Sequence, residues 1–198
     1  MVRGETRQKI VATARDLMLA RGYGATSVDE ICTAAGVSKG SFYHFFATKE
    51  VLGLAVLDAF YAEGGETVRQ GACVDIGDPV ERRLGLFDHL EEMAPQFWRR
   101  GCLMGNFATE LAESNPAIRT RVAEMLGELA RQLARLFAPV AEDPDEAAEL
   151  AEQTLMVLEG SIILARAYGD PNRIASGVRR YRRSLEQRVH SSGGSRPG

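Results

Sequence analysis

Hydroxyl groups and cations recur between residues 38 and 49 at spacings that suit contact with a polyanion. Ser38 can cap a short helix whose first turn carries Lys39 and Ser41. Thr48 can cap the helix that follows it, which begins beside Lys49. Because the first backbone amides of a helix lack internal partners and carry partial positive charge, such helix starts can meet phosphate together with a lysine. The chemistry that these residues suit is recognition of nucleic acid.

Two short helices joined by a turn are predicted to position these groups. Ser27 and Glu30 have the spacing of a capping box, so the first helix should begin at about Val28. Gly36 supplies the backbone freedom that a tight helix exit needs, and Ser38 then caps the second helix. Three phenylalanines follow at helical spacing and are predicted to anchor the second helix to the core: Phe42, Phe45 and Phe46.

The phrases Gly-Val-Ser-Lys-Gly-Ser-Phe-Tyr-His-Phe-Phe and Thr-Lys-Glu closely resemble the DNA-binding domain of the tetracycline-repressor (TetR) family. The resemblance is good over roughly residues 7 to 55, and beyond them it lies mainly in length and helical pattern. It implies that the second helix of the motif enters the major groove of double-stranded DNA. It also implies a homodimeric repressor that a small ligand releases from its operator.

Carried over by position, the resemblance assigns two kinds of DNA contact to this sequence. The candidate groove contacts are Lys39, Gly40, Ser41 and Tyr43, and the candidate phosphate contacts are Ser38, His44 and Lys49. The alternative for the two aromatic side chains is that Tyr43 and His44 are ordinary half-buried packing residues with no role in DNA binding.

The net charge of −3 is distributed unevenly along the 198 residues. Residues 1–50 hold seven Lys and Arg against five Asp and Glu, which gives +2 and leaves −5 for the remainder. Phosphate feels the local field over a Debye length of about 8 to 10 Å, so an acidic second region is compatible with a DNA-binding head.

Composition excludes several other classes of protein. The 45% hydrophobic content suffices for a core, while neither a run of 18 apolar residues nor a signal peptide is evident, which favours a cytoplasmic protein without a membrane partner. The three cysteines are Cys32, Cys73 and Cys102, too widely spaced for a disulfide framework or a zinc site. We therefore expect no metal and no cofactor.

Beyond residue 50 the sequence predicts helices and no strands. Four helix starts share an Asp-Pro or Asn-Pro pair at 78–79, 115–116, 143–144 and 170–171, and apolar residues between them recur at steps of three and four. The predicted fold is all-α, with nine helices in a TetR-like arrangement. Its predicted parts are a helix-turn-helix DNA-binding domain at 1–50, a helical effector-binding and dimerisation domain at 51–190, and a disordered tail at 191–198.

The last two long helices are the predicted dimer seam. Apolar stripes mark both of them, with Leu150, Leu155, Leu158, Ile162 and Ala165 on one and Ile174, Val178, Tyr181, Leu185 and Val189 on the other. Two such helices from each subunit would form a four-helix bundle, and twofold symmetry would imply a pseudopalindromic operator. The alternative is that the stripes pack only within one chain.

A small-molecule effector of unknown identity is the third predicted partner. The residues predicted to line its pocket are Phe60, Met93, Phe97, Trp98, Cys102, Asn106 and Phe107, although apolar residues of this kind could equally fill a solid core. The Gly-Cys-Leu segment ending at Leu103 resembles the region of TetR-family regulators that sense electrophiles or acryloyl-type thioesters. A helix break there is predicted to expose the Cys102 thiol, whereas the alternative is a buried and inert cysteine.

These features predict a ligand-responsive transcriptional repressor released by a small hydrophobic or electrophilic effector. The alternatives are a DNA-binding regulator without small-molecule control and a redox or electrophile sensor that acts through Cys102. Enzymatic activity is not expected, because the segment starting at His89 lacks the His-Glu-x-x-His ligand spacing and no nucleophile elbow occurs.

Overall fold

The computed structural model describes residues 3–69, 77–139 and 141–192, with the side chains of most of them. The predicted disordered tail falls largely outside these residues. Within them the chain forms nine helices and no strand, which confirms the predicted all-α class. The helices are α1 (Arg3–Arg21), α2 (Val28–Ala35), α3 (Lys39–Phe45), α4 (Lys49–Arg69), α5 (Pro79–Phe97), α6 (Leu103–Leu111), α7 (Pro116–Phe137), α8 (Pro144–Tyr168) and α9 (Asn172–Ser192).

Local capping explains where several of the later helices begin. The Asn115 side-chain oxygen accepts from the Ile118 amide at 2.9 Å, and the Asp143 carboxylate accepts from the Glu146 amide at 2.9 Å. The prolines that follow these caps occupy the first helical positions of α7 and α8, where a missing amide costs nothing. Helix α6 begins at Leu103, so Asn106 lies within its first turn.

Backbone contacts divide the chain into two compact units. Of the described residues, the first contains 3–66 and 100–127, and the second contains 67–69, 77–99, 128–139 and 141–192. The first unit therefore holds α6 together with α1, α2 and α3. The predicted boundary near residue 50, between the DNA-binding domain and the effector-binding domain, does not coincide with the division into compact units, and it stays a prediction.

The core of the second unit corrects the interpretation of the apolar stripes on α8 and α9. Leu150, Ile162, Val178 and Leu185 are all buried, and α9 packs against both α5 and α8. The stripes predicted as a dimer seam therefore lie mostly inside the chain's own core. Apolar periodicity shows that one face of a helix is covered, but it does not show which surface covers it.

None of the helices within the described ranges has both the length and the apolar character needed to span a lipid bilayer.

Candidate nucleic-acid interface

A fully capped pair of helices forms the frame of the candidate interface. The Ser27 hydroxyl accepts from the Glu30 amide at 3.2 Å while the Glu30 carboxylate accepts from the Ser27 amide at 2.9 Å, which completes the predicted capping box. Gly36 ends α2 in the left-handed conformation at φ 62°, as predicted for this exit. The Ser38 hydroxyl then accepts from the Ser41 amide at 3.1 Å, so α3 starts where the sequence placed it.

Helix α3 has one buried side and one exposed side. Phe42 and Phe46 are 0% and 1% exposed, whereas their neighbour Tyr43 is 54% exposed. His44 is also exposed and its ring meets Phe45 edge to face at 5.1 Å between centroids. Tyr43 and His44 are therefore not half-buried packing residues, and both face solvent. Phe45, which the spacing also predicted as an anchor, is only half-buried.

The seven predicted DNA contacts differ in how far their side chains are exposed and in whether they already form hydrogen bonds. Lys39 and Gly40 are exposed in the first turn of α3, and Ser41 is half-buried. Ser38 is exposed, but its hydroxyl already serves as the cap of α3. Their contacts with DNA stay predictions, since the geometry shows accessibility and not binding.

Lys49 lies in a partly enclosed position. Its ammonium stands 4.2 Å from the centroid of the Tyr23 ring, in the geometry of a cation–π contact. Partial burial lowers the pKa of Lys49 from its usual value. Burial also raises the pKa of Tyr23, assisted by the negative charges of Glu50 and Glu110.

A carboxylate from α6 binds the turn between α1 and α2. Glu110 accepts hydrogen bonds from the Tyr23 amide at 2.8 Å and from the Gly24 amide at 2.5 Å. Gly22 has φ 91°, and a Cβ at Gly22 or Gly24 would lie 2.9 Å from a Glu110 oxygen, so the turn leaves room for the carboxylate only with glycine at these positions. Phe107 meets the Tyr23 ring edge to face at 5.5 Å, which adds an apolar contact between the same two segments.

Sequence reasoning missed this contact. The Gly-Tyr-Gly triplet at 22–24 is a local signal for an unusual turn. Its partner Glu110 is 86 and 87 positions away, and no local spacing rule connects residues so far apart.

Comparison with known proteins supports the prediction that the N-terminal helices form a DNA-binding domain. Residues 10–56 match the family described as bacterial regulatory proteins, tetR family, and residues 85–176 match the C-terminal domain of LmrA/YxaF-like transcriptional regulators. The transcriptional regulator AcuR of Cereibacter sphaeroides is 32% identical over 192 residues, which cover 92% of this chain and 86% of that protein. The chain belongs to the TetR family.

Two further relatives show the same affiliation. The transcriptional repressor DhaR of a Mycobacterium species is 34% identical over 62% of this chain and 60% of that protein. A crystal structure of regulatory protein TetR from Rhodobacter sphaeroides is 31% identical and superposes with a TM-score of 0.76 over 89% of this chain and 96% of that chain. This TetR-family protein is therefore a helix-turn-helix, DNA-binding transcriptional regulator.

The predicted pocket residues of this TetR-family protein divide between the two compact units. Phe60, Cys102, Asn106 and Phe107 belong to the first unit, whereas Met93, Phe97 and Trp98 belong to the second. Met93 and Trp98 pack against the core of the second unit. The effector pocket stays a prediction.

The prediction that a helix break exposes the Cys102 thiol is wrong. Cys102 is 2% exposed and occupies the N-cap position of α6, where its carbonyl accepts from the Asn106 amide at 2.9 Å. Because α6 starts directly after it, the segment folds into the protein instead of forming an open break.

Replacing Lys49 with Gln separates a phosphate contact from a purely structural role in this TetR-family protein. If the ammonium meets phosphate in the complex, the slope of log affinity against log salt concentration should flatten by about 0.9 for each Lys49 that contacts the duplex, whatever the sequence of the duplex. Fluorescence anisotropy across a salt series measures this slope. An unchanged slope together with a lowered melting temperature would show that Lys49 stabilises the fold through its contact with Tyr23 and does not bind phosphate.

Proposed function

We propose that this chain is a dimeric repressor that binds a pseudopalindromic operator and leaves it when a small hydrophobic or electrophilic effector binds. The observation that carries the proposal is the exposed side of α3, where Lys39 and Tyr43 project from a helix anchored by buried Phe42 and Phe46. A rigid frame with accessible donors suits the reading of base edges in the major groove. The name of the relative DhaR, a repressor, supports repression.

Selection from random oligonucleotides at low ionic strength tests this proposal. The purified protein should enrich a sequence with twofold symmetry and half-sites about one helical turn apart. Recovery of no preferred sequence would contradict it. Such a repressor would act in the cytoplasm, where its DNA lies, and enzymatic activity is no part of the proposal.

An exposed apolar face on α8 supports dimerisation at a surface other than the buried stripes. Met156, Ile163 and Leu164 are 67%, 61% and 51% exposed, and their spacing of seven and eight residues places them on one side of the helix. Tyr168, one turn further on, is 64% exposed. We propose this face, with the adjoining surface of α9, as the contact between subunits, since such a patch on a surface usually marks an interaction site.

The bond from Glu110 to the turn at residues 22–24 supports coupling between an effector and the DNA-binding head. An effector that displaces α6 must either carry this turn with it or break two charge-assisted hydrogen bonds. The proposed response also involves a tilt of α4, because this helix begins at Lys49, beside Tyr23, and continues through the predicted pocket residue Phe60. Both movements would change the position of α3.

Replacing Glu110 with Gln should loosen the turn while preserving side-chain size. The Tyr23 and Gly24 amides bind different oxygens of the carboxylate, and a carboxamide replaces one of these oxygens with an NH2 donor, so one of the two hydrogen bonds is lost. Hydrogen exchange at these two amides should accelerate severalfold, because each protecting bond contributes about 1 kcal/mol. Glu113→Gln, at an exposed position nearby, is the matched control and should leave both amides unchanged. Equal exchange in the Glu110 variant and the wild type would contradict the proposed coupling.

Two alternatives remain beside this proposal. A regulator without small-molecule control would bind its operator equally well in the presence of any metabolite, whereas an effector must both raise the melting temperature and weaken operator binding. A sensor acting through Cys102 would require α6 to open at its start, because the thiol is buried. Failure of N-ethylmaleimide to modify Cys102 in the folded protein would remove this second alternative.

A further inference from the structure

An ion pair joins the first turns of the two helices in the motif. The Lys39 ammonium, in the first turn of α3, lies 2.7 Å from a carboxylate oxygen of Asp29, in the first turn of α2. We propose that Asp29 is a specificity-determining residue, which positions the Lys39 ammonium for contact with base edges and holds it away from the phosphate backbone. The inference rests on the proposed binding of operator DNA by α3.

The backbone on both sides of this pair is fixed. The capping box sets the start of α2, the Ser38 cap sets the start of α3, and the Gly36 exit joins the two helices. A lysine side chain on a rigid helix still samples many positions, because it has four rotatable bonds. The bond to Asp29 limits this sampling and holds the ammonium beside the first turns of α2 and α3.

Helix stability alone does not account for Asp29. An acid in the first turn of a helix is favourable because it faces the positive end of the helix dipole. Glu30 already fills this role in α2, since it completes the capping box and pairs with Arg21 at 2.9 Å. Lys39 has the opposite relation to its own helix, because a cation in the first turn of α3 meets the positive end of the dipole. Lys39 is therefore unfavourable for the stability of α3, and its pairing with Asp29 is better explained by a role in DNA binding.

The position of Asp29 also carries a cost for DNA affinity. Its carboxylate is exposed beside Lys39, so within a Debye length of about 8 Å it repels phosphates that approach this lysine. Lysine distinguishes guanine by donating to the O6 and N7 acceptors, but it binds any phosphate as a point charge. A neighbouring anion disfavours the phosphate contact, which carries no sequence information, while it leaves the ammonium able to bridge to a base. Asp29 thus lowers the affinity for DNA of any sequence but increases the preference for the operator over other sequences.

The surrounding groups keep Lys39 charged. The hydrogen bond to Asp29 and its negative charge raise the pKa of Lys39 above the usual value, and Tyr43 contributes in the same direction. Tyr43 lies one turn further along α3, on the exposed side of the helix. The cation therefore interacts both with the residue that positions it and with a second candidate base contact.

Replacing Asp29 with Asn tests the inference on the full-length protein. Binding is measured by fluorescence anisotropy with the duplex enriched by selection and with a scrambled duplex of the same composition. Affinity for the scrambled duplex should rise, while the ratio of the two dissociation constants should fall about threefold to fivefold, which is the range that an exposed ion pair supports. Asp29→Glu keeps the charge and should restore most of the ratio. Glu50→Gln removes another acid of the head but keeps an acceptor for Asn115, so it should shift both affinities equally.

The same substitution in a Lys39→Ala background separates positioning from a general charge effect. If Asp29 acts through Lys39, then Asp29→Asn should change both affinities by one common factor in that background. Three results would overturn the inference: an unchanged ratio in the single variant, an equal fall of the ratio without Lys39, or a lower melting temperature as the sole effect. A wild-type protein that prefers no sequence would overturn the proposed function itself, so the two failures are distinguishable.

Discussion

Phe42→Ala should lower the free energy of unfolding by about 3 to 5 kcal/mol, the usual cost of removing a fully buried phenylalanine. The Phe42 side chain is 0% exposed and its ring lies 5.9 Å from that of Phe46, so truncation leaves a cavity beneath the exposed side of α3. Typical domains are stable by about 5 to 15 kcal/mol, so the variant should lose a large part of its stability. Thermal and urea denaturation followed by circular dichroism measure the change.

The adjacent residue provides the matched control. Tyr43 meets Phe42 edge to face at 5.2 Å but is 54% exposed, so Tyr43→Ala should cost at most about 1 kcal/mol of stability. Its effect should instead fall on operator binding, with about 1 to 3 kcal/mol lost if the ring contacts a base. If Tyr43→Ala destabilised the protein as much as Phe42→Ala, α3 could not have the two-sided character that the proposed function requires.

The parts of the head that the sequence predicted correctly are those governed by neighbours in the chain. A capping box spans four residues, and the glycine exit at Gly36 and the cap at Ser38 need no information from elsewhere. The phenylalanine spacing correctly identified Phe42 and Phe46 as buried for the same reason, because three and four residues make one helical turn, whereas Phe45 is only half-buried. These local rules agree with one another, and the motif accordingly has the predicted bounds.

The errors share a different physical origin. Apolar spacing on α8 and α9 predicts burial without identifying the covering surface, and for most of these residues that surface is the chain's own core and not a partner. The contact from Glu110 to the Tyr23 amide and the pair between Asp29 and Lys39 depend on how separate helices pack. Spacing within one helix cannot predict them, although the glycines at 22 and 24 mark where one such contact occurs.

Ile163→Asp should dissociate the proposed dimer and abolish stable operator binding. Twofold symmetry places the substitution in the interface twice, and each carboxylate would lose its hydration without a compensating partner, which costs several kcal/mol. The unfolding free energy of one chain should change little, because Ile163 is 61% exposed. Sedimentation velocity at micromolar concentration measures the shift from dimer to monomer.

Operator affinity should fall by at least about a hundredfold in the same variant, because a monomer loses the gain that comes from linking two half-sites. Affinity for a duplex with a single half-site should stay close to that of the wild type, since α3 is untouched. Ala123→Asp introduces the same charge at an exposed position of α7 and should remain dimeric. A dimeric Ile163→Asp protein would assign the subunit contact to another surface. A monomer that still bound the full operator tightly would instead show that each head reads DNA independently, against the proposed symmetric mode of binding.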